Sequence, residues 1–124
     1  MNIMKWEFSD DRPIYTQIVE QMKLFIVSGE VSPGEKVMSV RDLASAAGVN
    51  PNTMQRALSE LERMGLMQSN RTSGRFVTED VGVIQSAKLE IARRSISDFL
   101  DSMRKIGYDR KAAIKLLESM DEAS

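Results

Sequence analysis

Ile14, Ile18, Met22, Phe25 and Ile26 recur at the spacing that lines one face of a helix. Asp10-Asp11-Arg12-Pro13 precedes them as a start signal, because a first turn leaves unused the N–H that proline lacks, and Gly29 follows as a left-handed stop. The pattern predicts a first helix over 13–28. Ser32-Pro33-Gly34 reads as a turn, after which Lys36-Val37-Met38 has room for only a very short strand. Ser39 is placed to accept a first-turn N–H, so a second helix is expected over 40–47, ended by Gly48. Only Gly48-Val49-Asn50 separates it from a third helix over 51–64, which has Asn50 as N-cap, Pro51 in its first turn and Gly65 beyond its end.

A short helix, a tight glycine-containing turn and a longer helix make a helix-turn-helix unit. Leu66-Met67-Gln68-Ser69 and Arg75-Phe76-Val77-Thr78 are strand candidates flanking the polar Asn70-Arg71-Thr72-Ser73-Gly74, as in a hairpin wing. From about Val83 two more helices are expected, divided at Gly107-Tyr108-Asp109. The fold predicted is mainly α. A winged helix-turn-helix of three helices plus a small β-hairpin wing occupies 1–78, and a C-terminal two-helix dimerisation segment occupies 79–124.

With about 100° between successive residues, and Met54 at zero, Leu58 lies at about +40°, Leu61 at about −20° and Ala57 at about −60° on the third helix. Ser59, Asn52, Arg63 and Arg56 fall at about 140° to 200°, on the opposite side. Asn pairs with adenine in both directions and Arg forks onto guanine, so this outward face carries the chemistry of a helix in the major groove. The helix start, with unpaired N–H groups expected at Asn52 and Thr53, suits a backbone phosphate.

Composition sharpens that reading. The 124 residues contain neither Cys nor His, which removes disulfides, thiolate nucleophiles, imidazole acid–base chemistry and the common zinc ligands. The net charge of −1 hides an asymmetry: residues 36–75 hold 6 basic and 3 acidic groups, the basic ones being Lys36, Arg41, Arg56, Arg63, Arg71 and Arg75. Gly29 and Gly34 have the spacing of half a phosphate loop, but Glu35-Lys36 stands where Lys-Ser/Thr is needed. The acid pairs Asp10/Asp11, Glu79/Asp80 and Asp121/Glu122 read as caps or solvated charge, and no metal or cofactor is expected. The opening MNIMKWEFSDD lacks the blocks of a signal peptide and no apolar run spans a bilayer, so a cytoplasmic location and no membrane partner are expected.

The segments Pro-Ile-Tyr-x-Gln-Ile at 13–18, Gly-Glu-Val-x-Pro-Gly-Glu-Lys at 29–36, Ser-Val-Arg-Asp-Leu-Ala at 39–44, Val-Asn-Pro-Asn-Thr-Met-x-Arg-Ala at 49–57, Leu-Glu-x-x-Gly-Leu at 61–66 and Gly-x-Phe-Val at 74–77 resemble, in order, the DNA-binding domain of the GntR family of bacterial transcription regulators. The resemblance implies that Ser39, Arg41, Asn50, Asn52, Thr53 and Arg56 contact DNA while the wing tip, Arg71 through Gly74 to Arg75, reaches the adjacent minor groove. Met38 stands where the family usually has proline, and Thr72 where it has a second wing glycine. About 45 residues follow the wing, as in the short YtrA-type subgroup, whose C-terminal helices mainly mediate dimerisation.

Leu89, Ala92, Ile96, Phe99, Met103 and Ile106 step by three and four, a heptad-like seam that calls for a partner, either a second chain or another part of this one. The combined reading is a sequence-specific DNA-binding regulator, a repressor on a palindromic operator, acting on double-stranded DNA as a homodimer and not as an enzyme. Two alternatives stay open. The winged fold could serve as a protein-interaction adaptor, and a small-molecule effector could bind between the C-terminal helices.

Overall fold

A computed structural model describes residues 5–121; residues 1–4 of the signal-peptide reading and Glu122 of the last acid pair lie outside the described residues. The order is α1 (Ile14–Val27), α2 (Val40–Ala47), α3 (Pro51–Arg63), β1 (Met67–Asn70), β2 (Gly74–Val77), α4 (Val81–Lys105) and α5 (Arg110–Ser119). The chain divides into two compact units, Met1–Ala87 and Lys88–Ser124.

In the first unit α3 packs against α1, α2 and β1. Ile18, Met22 and Ile26 of α1, Leu43 and Ala44 of α2, and Met54, Ala57, Leu58 and Leu61 of α3 form one buried cluster, joined by Val31, Val37, Leu66, Met67, Val77 and Ile84. The third-helix stripe expected from the sequence is therefore the stripe that is buried. Both caps of the helix-turn-helix form as read: Ser39 Oγ accepts the Asp42 N–H at 3.1 Å, and Asn50 Oδ1 accepts the Asn52 N–H at 2.7 Å. Gly48 closes α2 in the left-handed conformation, φ 72°, with its N–H turned back to Ala44 and Ser45 carbonyls.

Several boundaries move by a residue or two for local reasons. Leu66 is not in the first strand, because its N–H closes the end of α3 on the Leu61 carbonyl at 3.0 Å. The strands pair antiparallel from Met67↔Val77 to Asn70↔Gly74, so the turn shortens to residues 71–73. The very short strand at Lys36 is a single bridge to Phe76, flanked by the Val37 N–H on the Arg75 carbonyl at 2.8 Å. Thr72, in place of a wing glycine, sends its N–H and Oγ1 to Asn70 Oδ1, each at 3.0 Å, and the side chain takes over the turn. α4 begins at Val81 rather than Val83, because Asp80 Oδ1 accepts the N–H groups of Gly82 and Val83. Asp10 and Asp11 do not cap α1, which has no side-chain cap; Asp11 receives the Ser9 hydroxyl instead.

The segment before α1 has an order that its sequence did not announce. Gln17, only 2% exposed, donates to the Ser9 and Arg12 carbonyls at 2.8 Å each and accepts the Ser9 N–H at 2.9 Å. Gln21, one turn on, makes the same two-way pairing with the backbone of Glu7. Alternation then turns Trp6 and Phe8 inward, where Trp6 meets Phe25 edge-on at 5.2 Å.

The wing is braced to α3. Arg75 Nε donates to Glu62 Oε1 at 2.9 Å, with the two side chains 16% and 28% exposed, and the Ser69 hydroxyl donates to the same carboxylate. Burial alone would raise the Glu62 carboxyl, but the bonds from Ser69 and Arg75 outweigh it and hold the group below the ordinary glutamate range.

Two outcomes follow for folding. Gly48→Ala should lower the unfolding free energy by about 1–2 kcal/mol in urea denaturation, through backbone strain alone, since nothing lies within 4 Å of the added Cβ. Glu62→Gln should lower it by about 1–2 kcal/mol at neutral pH. Because the folded carboxyl is depressed, the wild type holds this contribution above the ordinary glutamate range and loses it as pH falls through the folded value. Denaturation curves for the two proteins should therefore converge in acid; a gap independent of pH would rule the ion pair out as the cause.

Candidate nucleic-acid interface

Burying one side of α3 leaves Asn52 and Arg56 exposed, while Thr53 is half-buried at the margin. Ser39 and Arg41 are exposed at the start of α2, as are Asn50 in the turn and Arg71 and Gly74 in the wing. Ser39, Gly74 and Arg75 meet around one open cleft of about 810 Å³, which Lys36, Asn70, Thr72 and Ser73 also line. The segment that leads into α2, ending at its N-cap Ser39, and the wing tip thus share a concave surface. Arg41, Asn50, Asn52, Arg56 and Arg71 lie outside it, exposed on α2, the turn, α3 and the wing tip, as does the half-buried Thr53.

The state of each polar group decides what it can still do. The Asn52 N–H expected to be unpaired is taken by Asn50, so it is not a free phosphate donor. Asn50 keeps its amide donors, and Ser39, whose oxygen accepts from Asp42, keeps its hydroxyl hydrogen. Arg63 forks onto Glu60, with Nε at 2.9 Å from Oε2; the pair raises the guanidinium and, led by that hydrogen bond, lowers the carboxyl. Arg75 is held by Glu62 as a brace rather than standing free. Among the described residues Arg41, Arg56 and Arg71 are in no ion pair. Arg56 instead lies over the ring of Tyr15 of α1, its Cζ 4.0 Å from the centroid.

Lys36 belongs to the basic segment 36–75 but not to the residues that the sequence assigns to the site. It bridges to Phe76, and its Cε would meet a Cβ added to Gly74 at 3.2 Å, where the backbone has φ 105°. The positive φ at the start of β2 is what calls for glycine here, since the end of the flexible lysine side chain could shift by the few tenths of an ångström that a Cβ would need. The signal that could have found Lys36 is its place beside a strand that pairs with the wing.

The seam assigned to dimerisation lies open. Leu89, Ala92, Ile96, Phe99 and Ile106 are exposed and Met103 is half-buried. Among the described residues no group of acids could hold a metal ion, and no helix is long and apolar enough to cross a membrane.

Comparison with known proteins agrees with the geometry. Residues 14–77 match the model of the bacterial regulatory proteins of the gntR family. The chain is 34% identical over 110 residues to the HTH-type transcriptional repressor YtrA of Bacillus subtilis, covering 89% of this chain and 80% of that protein. Its fold is similar to a GntR family transcriptional regulator from Listeria monocytogenes, with TM-score 0.83, 36% identity, and coverage of 92% and 100% of the two chains. It is also similar to the DNA-binding domain of AraR in complex with operator ORX1, with TM-score 0.56, 25% identity, and coverage of 63% and 100%. From helix-turn-helix to wing the sequence and the fold lead to one conclusion: this chain belongs to the GntR family of bacterial transcription regulators, with its likeness to the short YtrA type extending through the C-terminal helices.

Proposed function

We propose that the chain represses transcription from the cytoplasm by binding a palindromic operator as a homodimer. The observation that carries this is the exposed polar face of α3, bearing Asn52 and Arg56, on a helix that packs against α2 and β1. Support for a groove-binding use of the fold comes from the AraR domain bound to an operator, and support for repression from the name of the YtrA relative.

In this reading α3 lies in the major groove. Asn52 and Arg56 read base edges, Thr53 contacts a base or phosphate, and Ser39, Arg41 and Asn50 hold phosphates at the start of α2 and in the turn. Arg71 and Gly74 lead the wing toward the minor groove, Arg75 sets its angle through Glu62, and Lys36 adds a charge in the cleft. A single winged unit reads few bases, so two copies joined through Leu89, Ala92, Ile96, Phe99, Met103 and Ile106 would place two recognition helices on half-sites about 34 Å apart or at a related spacing.

Affinity for a duplex recovered by selection from a randomised pool should fall by about three to five decades between about 50 and 200 mM salt, as six to ten phosphate contacts per dimer require. Arg56→Ala should cost about 1–3 kcal/mol at its own base step and relax preference there. A flat salt response would favour the adaptor reading. Sedimentation of the full chain at micromolar concentration should give a dimer, and Ile96→Glu should give a monomer. A monomeric wild type would remove the homodimer from the proposal.

A further inference from the structure

We infer that Tyr15, on α1 and outside the helix-turn-helix, is a positioning residue that presets the Arg56 guanidinium and so governs selectivity at the base step Arg56 meets. The inference rests on the reading of α3 as the DNA-facing helix and goes beyond it by assigning part of the readout to a residue in another helix.

Arg56 has a ready acidic neighbour one turn on, Glu60, at the spacing at which helical ion pairs form. That carboxylate is already forked by Arg63 through two nitrogens, so Arg56 feels it only as a distant charge. Arg56 settles instead on the face of Tyr15, 4.0 Å from the centroid. Tyr15 is itself half-buried against the winged core and has little freedom to follow a moving partner.

The mode of contact matters. A salt bridge would occupy the in-plane N–H groups that fork onto guanine O6 and N7. The contact with Tyr15 puts the Arg56 Cζ over the ring without pairing it to an acid, and among the described residues no side chain hydrogen-bonds to Arg56, so its N–H donors are left uncommitted. A long exposed arginine otherwise loses its rotamer freedom on binding, and a ring that holds it beforehand reduces that loss. Tyr15 is thus expected to act on selectivity through Arg56 and not through a contact of its own.

The test uses the full chain and a duplex recovered by selection from a randomised pool, beside the same duplex altered at the one base pair whose preference Arg56→Ala relaxes. The readout is the ratio of the two affinities, which a loss of folded protein leaves unchanged because both duplexes sample the same folded fraction. Tyr15→Phe should keep the ratio. Tyr15→Leu, and pentafluorophenylalanine at position 15, which keeps the ring but drains its face of negative charge, should each lower it about two- to fivefold. In the Arg56→Ala background Tyr15→Leu should leave the ratio where Arg56→Ala alone puts it. An unchanged ratio in both ring variants, with Arg56→Ala still active, would overturn the positioning role and leave the DNA-facing reading intact. If Arg56→Ala relaxes no base pair, Arg56 is not a base reader and the inference falls together with that part of the reading.

Discussion

Burial of Met54, Ala57, Leu58 and Leu61 fixes the rotation of α3 about its own axis, because a helix that presents a single apolar stripe can dock in only one azimuth. Rotating α3 by even one residue would expose a leucine and bury Asn52 or Arg56 without partners. The identity of the outward face follows from that one constraint. The tight Gly48 turn then places α2 against the same helix, and the Glu62 brace sets the wing on its far end.

On this scaffold the charges sort into two kinds. Arg63 and Arg75 are engaged by Glu60 and Glu62, acids on the helix that also bears the outward face, and they serve its geometry. Arg41, Arg56 and Arg71 are left without ion pairs among the described residues. A count of basic residues in 36–75 does not distinguish these kinds, and the exposed cationic surface is smaller than that count suggests. What remains is directed: one arginine held over an aromatic ring, one at the start of α2, one at the wing tip, and Lys36 in the cleft beside the wing.

Much of the fold was legible in the sequence. The periodicity around Met54, the Ser39 and Asn50 caps and the Gly48 stop all rest on interactions within a few residues, and each appears where the spacing put it. The ordered run of family motifs covers the winged unit for the same reason. The less legible features are those in which distant segments compete for one group. The apolar side chain of Leu66 suits a strand, but its N–H belongs to the end of α3. Gln17 reads as a surface polar residue until the chain before α1 folds back and offers its backbone to the amide.

The sequence by itself determined which helices form, their ends to within a residue or two, and which side of α3 is apolar, because these depend on local propensity, capping and helical period. Only the tertiary structure decided which arginines remain available. Glu62 lies thirteen positions from Arg75, and Tyr15 lies in a helix two elements before Arg56. Such partners are chosen by distance in space, after the core has closed, and no linear spacing encodes them.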